Sequence, residues 1–508
     1  MTFTPIAPGT SPWDGEVNGA FQDVQDQITE HEVPDSDPHG DRAWAQTQFM
    51  PTTQITVDQV VGANPFYIAH RGGGGEAPEL TEVAYLNSVG AGLRAIEVST
   101  HLSADGVLFC LHDNDLTRMT NGTWTTNPEL WTYAALNQRA KIDPTPLLGP
   151  GWATQTIPTA KQVFDKYLGR VVIFAEGKSN GSIPALQTLL QTYPNANQSV
   201  IWKGYYTNLS FAWARNHGYR VWAYTDVGTT SGQMDAVESM VDYWGVPIEA
   251  PDAQFQAVVA RPAGLPVISW EVHRRSEVTR LRTLGVRGMM CAQPVYCTTS
   301  TALTTTNQWF SQVKSPGEIG AAHSDPTYAL KWDTGVGTNV VYAPATSGNS
   351  VLLGCFSPPV SGATGYRISF DMYWPVLPTG TLHAGLYFGQ ADDAKHTFGV
   401  ANATGCYRME LRPNAGTMQL YTVASGATSG VQVGSDVTTS GALSAATWYS
   451  YAIDVTATSV KLARTDSTGW SFTFSDTTYR GGYMGIHTGS LTATNTLPRY
   501  RNFLITAI

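Results

Sequence analysis

The sequence is short of charge, of cysteine and of long apolar runs, and each shortage removes a class of protein. Charged residues make up 14% of the 508-residue chain and hydrophobic ones 42%, a balance too apolar for a largely disordered protein and sufficient for several cores. The formal net charge of −10 is spread along the chain rather than gathered in blocks, and without a basic patch nucleic acid is not an expected partner. The five cysteines, Cys110, Cys291, Cys297, Cys355 and Cys406, are odd in number and irregularly spaced. They lack the pairing that a disulfide framework or a Cys-x-x-Cys zinc site needs and read as mostly buried thiols. No segment reaches the roughly 18 uninterrupted apolar residues of a membrane span, and the opening MTFTPIAPGTSPWDGEV has neither the basic nor the apolar region of a secretion signal. The expectation is a soluble chain of two or three domains, without membrane insertion and without a signal peptide.

Texture divides what is present into segments. In residues 1–50, Val17, Phe21, Val24 and Ile28 recur at intervals of four, three and four, the stripe of a short coiled-coil seam. About three turns are marginal alone, so the stripe either packs on the following domain or joins copies of itself, a trimer being permitted. Residues 51–300 alternate compact apolar runs with helical stretches: FYIAH (66–70), LRAIEVS (93–99), VVIFAE (171–176), SVIWKG (199–204), YRVWAYT (219–225), PVISWEV (266–272) and VRGMMC (286–291). Such alternation predicts parallel βαβ units covered on both faces, a TIM (β/α)8 barrel. VLFCLHD (107–113) and YWGVPI (243–248) bring the candidates to nine for eight places, and the tight turn at Ala104-Asp105-Gly106 marks the first of these as a candidate hairpin return. A threonine-rich boundary, CTTSTALTTTNQW, opens a linker over 301–320. Beyond it strict alternation takes over, with Tyr366, Ile368, Phe370, Met372 and Trp374 on one face, and then Tyr407, Met409 and Leu411, and Tyr449, Tyr451, Ile453 and Val455. That pattern predicts an antiparallel β-sandwich over 321–508.

Acid, base and cation types collect at the C-terminal ends of the expected barrel strands, where barrel enzymes keep their sites. His70 and Arg71 end the first strand, with Glu79 after a glycine-rich loop. Glu97 ends the second and His112-Asp113 the next extended arm, while Glu176 and Lys178 alternate on a later one. Two histidines are suited to base and acid work near neutral pH, and arginine and lysine to an anionic substrate. The competing structural reading makes Glu97 and Glu176 buried ion-pair partners of Arg71 and Lys178, with Asp113 orienting His112 or its loop.

In their order, His70-Arg71-Gly72, Ala77-Pro78-Glu79-Leu80-Thr81, Ile96-Glu97-Val98-Ser99, Asp105-Gly106, His112-Asp113, Ile157-Pro158-Thr159 and Glu176-Gly177-Lys178 resemble the glycerophosphodiester phosphodiesterase family, with Trp270-Glu271-Val272 and Gly285-Val286-Arg287-Gly288 echoing its closing segments. The resemblance implies a phosphoric diester hydrolase. His70 and His112 would be its proton-transfer pair and Arg71 would grip phosphate oxygens. A divalent cation, Ca²⁺ or Mg²⁺, would sit on Glu97 and Glu176, and Lys178, Lys203, Trp270 and Glu271 would contact substrate. Ser99 stands where the family has an aspartate, so Ser99 and Glu79 are the candidates to complete the cation's oxygen shell. Leu80 replaces an asparagine and Glu271 a threonine.

The flanks supply a setting. WDGEVNGAFQDVQDQITEHEVPDSDPHGDRAWA resembles the attachment segment of tail proteins from actinobacterial phages, and the C-terminal part resembles concanavalin-type or laminin-G-like jelly rolls, where Tyr373 and Trp470 are candidate sugar-stacking residues. These likenesses imply a virion tail component, partnered by other tail proteins and by further copies of itself, that cleaves a host cell-wall glycerol-phosphate polymer such as teichoic acid, or binds a surface glycan. Two alternatives remain open: a catalytically inactive receptor-binding scaffold, suggested by Ser99, and a cellular lipid-headgroup phosphodiesterase.

Overall fold

The structure is a computed structural model that describes residues 54–149, 152–299, 331–337, 340–343, 351–355, 364–394, 396, 398–439, 441–466 and 470–508. The helical stripe at 17–28 and the 301–320 linker lie outside the described residues. Ile55–Ile508 forms one compact unit.

Nine strands make the first sheet: β1 Phe66–Ala69, β2 Ala95–Leu102, β3 Leu108–Cys110, β4 Val172–Gly177, β5 Val200–Tyr205, β6 Arg220–Tyr224, β7 Tyr243–Pro247, β8 Val267–Val272 and β9 Gly288–Cys291. They are ordered β1-β9-β8-β7-β6-β5-β4-β2-β3, and a parallel β1–β2 pairing at Ala69 and Ile96 closes the ring. Eight parallel strands form the barrel. The ninth candidate, β3, folds back antiparallel on β2, Leu108 opposite Leu102, as the turn at Ala104-Asp105-Gly106 suggests.

Burial on both faces explains the apolar runs. Outward residues such as Ile96, Ile173, Val200, Trp202 and Val221 pack under the surrounding helices. Inward ones, Phe66, Ile68, Ala95, Val172, Phe174, Ile201, Trp222, Tyr243, Ile268 and Met290, fill the barrel over a floor of Val57 and Val60. Because strand side chains alternate, the next inward position along six strands is dictated: Ile68 is followed by His70, Ala95 by Glu97, Phe174 by Glu176, Ile201 by Lys203, Trp222 by Tyr224 and Ile268 by Trp270. The apolar interior therefore ends in a polar layer at the C-terminal mouth.

Threonines start the helices that hold this frame. Thr81 accepts from the Ala84 N–H to cap Glu82–Gly90, and Thr159 forms a capping box with Gln162 on Ala160–Tyr167. Residues 103–149 and 152–158 build a separate lobe beside the mouth, with its own core of Phe109, Leu111, Leu116, Met119, Leu136, Ala140, Ile142 and Ile157. It is pinned to the barrel where the Leu111 N–H donates to the Ser99 carbonyl at 3.0 Å.

The C-terminal part packs two seven-stranded antiparallel sheets. One is ordered β10 Lys331–Trp332, β11 Val341–Tyr342, β23 Arg499–Ala507, β13 Gly365–Tyr373, β19 Trp448–Thr456, β20 Val460–Arg464 and β21 Ser471–Phe474. The other is β12 Val351–Cys355, β22 Tyr483–His487, β14 Ala384–Gln390, β15 Cys406–Arg412, β16 Thr417–Val423 and β17 Val431–Gln432, with β18 Val437–Thr438 paired to β16. Ile368, Phe370 and Met372 of the first meet Leu386, Met409 and Leu411 of the second in one core, the β-sandwich expected from the alternation. On the back of the second sheet Arg408 and Glu410 are buried as an ion pair at 2.7 Å. Trp470 packs against the core and its indole N–H donates to the Thr438 carbonyl.

Asp393, fully buried in the sandwich, supplies a helix cap to the barrel. Its carboxylate accepts from the backbone N–H groups of Arg275 and Ser276, each at 2.7 Å, and from the Tyr296 hydroxyl at 2.7 Å. The first two donors open the helix Arg275–Thr283, whose first-turn N–H groups have no partner within the helix. Asp393→Ala removes the acceptor of one buried and two half-buried donors, and at the lower end of about 1–3 kcal/mol for each the expected loss is roughly 3 kcal/mol, read by chemical denaturation, with barrel and sandwich melting as separate transitions.

Candidate active site

Lys203 occupies the centre of the polar layer. Its Nζ donates to Glu97 Oε1 and to Glu176 Oε2, each at 2.5 Å, and the three residues are at most 5% exposed. Every remaining carboxylate oxygen is also engaged. Glu97 Oε2 accepts the Arg71 backbone N–H at 2.8 Å, and Glu176 accepts the Tyr224 hydroxyl on Oε1 at 2.6 Å and Lys178 Nζ on Oε2 at 2.8 Å. Burial alone raises a carboxyl pKa, but here the cations prevail. Lys203 with His70 and Arg71 holds Glu97 well below the usual range, and Lys203 with Lys178 holds Glu176 at about 2. In return the two carboxylates outweigh the burial of Lys203 and push its pKa up, whereas burial and the neighbouring Lys203 charge lower that of Lys178.

The two histidines face this centre from different supports. His70 lies with Nδ1 3.1 Å from Glu271 Oε1 and Nε2 3.6 Å from Glu97 Oε2. Arg71 follows in the left-handed backbone region, φ 52°, which turns the chain so that its N–H reaches Glu97. Leu80 shares that conformation at φ 55°, the region asparagine tolerates best. Its side chain is fully buried in the outer core and does not line the mouth.

His112 comes from the lobe, its Nδ1 2.8 Å from Asp113 Oδ1. Burial, then the Arg71 charge, outweighs the Asp113 hydrogen bond and lowers the His112 pKa to about 4. Asp113 is itself held low, the hydrogen bonds of His112 and Arg118 overriding its burial. Arg118 joins two motifs that are distant in the chain: it donates to both oxygens of Glu79 at 2.8 and 2.7 Å and to Asp113 at 2.8 Å.

A cavity of about 240 Å³ opens over this layer, lined by His70, Arg71, His112, Lys178, Lys203, Trp222, Tyr224, Trp270, Glu271 and Met290. Three permanent cations and two imidazoles stand against one carboxylate in its wall, while Glu97 and Glu176 lie beneath Lys203. Such a wall suits a small anion with proton-transfer needs.

The expected cation site is not assembled. Glu97 and Glu176 do converge, but the charge between them is an ammonium. The Ser99 hydroxyl is turned to Glu97 Oε1 at 3.4 Å, and Glu79 is held away by Arg71 and Arg118. Among the described residues no group of three or more His, Cys, Asp or Glu side chains is placed to hold a metal ion, and a hard cation wanting six or more oxygens does not fit a donor set already spent on a lysine. The remaining expected site residues, His70, His112, Arg71, Lys178, Trp270, Glu271 and Lys203, all line the cavity. The ion-pair alternative holds for Glu176 with Lys178, but the cation on Glu97 is Lys203, and Arg71 reaches Glu97 through its backbone alone. Two functional residues escaped the sequence reading. Tyr224 carries only the strand parity of Trp222, and Arg118 follows the His-Asp motif by five positions; the signal for it is the need of a buried Glu79 for a full cationic partner.

A pocket of this composition at the mouth of a closed (β/α)8 barrel favours a small anionic substrate. Comparison narrows it. Residues 70–218 match the family model described as the glycerophosphoryl diester phosphodiesterase family. The chain is 23% identical over 244 residues to YhdW of Bacillus subtilis, covering 45% of this chain and 95% of that protein, whose own name gives glycerophosphodiester phosphodiesterase as a provisional assignment. It is 28% identical over 143 residues to human glycerophosphodiester phosphodiesterase 1, covering 26% of this chain and 41% of the relative. Among solved structures, an Oleispira antarctica phosphodiesterase in complex with the product sn-glycerol-3-phosphate aligns over 46% of this chain and 95% of its own at 20% identity, with a TM-score of 0.40.

Since Arg71 is the leading charge that keeps His112 neutral, Arg71→Met is expected to move the His112 titration upward from about 4, followed by NMR of its ring proton. An unchanged midpoint would remove Arg71 from the electrostatics of that imidazole.

Proposed function

We propose that the barrel is a glycerophosphodiester phosphodiesterase that uses His112 as base and His70 as acid. The observation that carries this reading is the cavity wall, where both imidazoles stand with Arg71, Lys178 and Lys203 around one anion-sized space. His112 is neutral across the physiological range, and with Nδ1 engaged by Asp113 its Nε2 is left to accept a proton. It takes the proton of the substrate's own neighbouring hydroxyl as that oxygen bonds to phosphorus. The bond from phosphorus to the departing alcohol breaks, and His70 delivers a proton to the leaving oxygen. A cyclic phosphate results, which water opens with the two roles exchanged. Arg71 and Lys178 hold the nonbridging oxygens and the charge that grows on them.

The setting is part of the proposal and is supported by sequence likeness. The resemblance of the first fifty residues to phage tail attachment segments, and of the sandwich to lectin-like folds, supports a tail-borne enzyme acting on a glycerol-phosphate polymer of a Gram-positive envelope, such as teichoic acid. In that role the sandwich engages glycan, and the partners are other tail proteins and further copies of this chain.

Hydrolysis of glycerophosphocholine and of purified teichoic acid, followed as released glycerol phosphate, tests the reading. His112→Ala and His70→Ala are each expected to lose about 10²–10⁴-fold in rate, the usual worth of a proton-transfer group. No release by the unaltered protein from either substrate would favour the inactive receptor-binding scaffold. Because the base must be neutral, kcat/KM is expected to hold as pH falls past the ordinary histidine range and to drop only near about 4. A fall centred near 6.5 would take His112 out of the base's role.

A further inference from the structure

We propose that the Lys203 ammonium is the built-in cation of this site, standing where a divalent metal would otherwise sit, and that the barrel works without one. The inference deepens the phosphodiesterase reading and rests on it for its catalytic part. Four observations carry it. Lys203 Nζ bridges the two carboxylates of the layer, 2.5 Å from each, so an ion binding both would have to displace it. The other two carboxylate oxygens are taken by the Arg71 N–H and the Tyr224 hydroxyl, and Lys178 shares Glu176 Oε2 with Lys203. Ser99, where the resemblance leads one to expect a third acid, turns its hydroxyl to Glu97. The charges also balance: three carboxylates and a divalent ion leave one net negative charge, and so do Glu97 and Glu176 with one ammonium. The loss of an acid at Ser99 and the presence of a lysine on β5 thus compensate each other.

Lys203 also reaches the substrate side. A lysine ammonium has three N–H donors; two are spent on Glu97 and Glu176, and the third remains for an oxygen in the cavity that Lys203 lines. An ammonium there neutralises phosphate charge as a fixed ion would, without acidifying the attacking hydroxyl, which leaves proton removal to His112.

The test uses the full chain after exhaustive EDTA dialysis. Elemental analysis and calorimetric titration with Ca²⁺ and with Mg²⁺ are expected to show no stoichiometric ion, and glycerophosphocholine hydrolysis is expected to change less than twofold between EDTA and added metal. One equivalent of Ca²⁺ or Mg²⁺ bound by the unaltered protein, and lost in Glu97→Gln, would overturn the proposal. The double variant Ser99→Asp with Lys203→Ser, which restores a third acid and removes the ammonium, is expected to gain divalent binding, and its failure to do so while still folded would count against the exchange. Should the protein hydrolyse no phosphodiester at all, the enzymatic reading falls, while the titrations still decide what occupies the carboxylate pair.

Discussion

The ammonium of Lys203 between Glu97 and Glu176 is the interaction on which the rest of the site depends. Two ionised carboxylates buried side by side repel each other and lose their water, and either effect alone would drive them to protonate. The lysine reverses both, and each member is charged only because the others are. Around this triad the neighbours are fixed in turn. The Arg71 N–H is drawn to Glu97 through a left-handed turn, Tyr224 is tied to Glu176, and the Lys178 ammonium is brought over the same carboxylate. Removing one partner of such a buried set strands the others, so the layer acts as a unit more than as separate residues.

Much of the architecture was legible because burial imposes periodicity. Strands covered on both faces read as apolar runs, strands of a sandwich read as alternation, and a tight turn betrayed the strand that does not belong to the ring. The same parity places His70, Glu97, Glu176 and Lys203 at one level, since each follows an inward apolar residue by two positions. Less legible was what each charge does for its neighbours. Glu79 has the residue type of a metal donor, yet in space it meets Arg118 from the lobe, a pairing between two motifs that spacing along one chain does not reveal. Lys203 stands in the apolar run VIWKGY, where a lysine must have buried partners, but identifying them required the register of three strands. Thr81 and Thr159, conspicuous as motif residues, begin helices.

The cavity also divides the two imidazoles between separate supports. His70 stands on the rigid end of a barrel strand, while His112 stands on a lobe with its own small core, attached to the barrel through Ser99 and Leu111. Substrate would therefore sit between two independently packed bodies, and the distance between the two imidazoles is set by the seam between them. Arg118, which grips Glu79 on one side and Asp113 on the other, spans that seam and keeps the two in register.

Asp393 carries a lesson about assembly. The helix it begins follows directly on the strand bearing Trp270 and Glu271, so a wall of the pocket is anchored by a group borrowed from the C-terminal sandwich. Recombination that exchanged the sandwich for an unrelated module would leave that helix start bare. A graft of the barrel onto a new scaffold must therefore bring a carboxylate to the same spot.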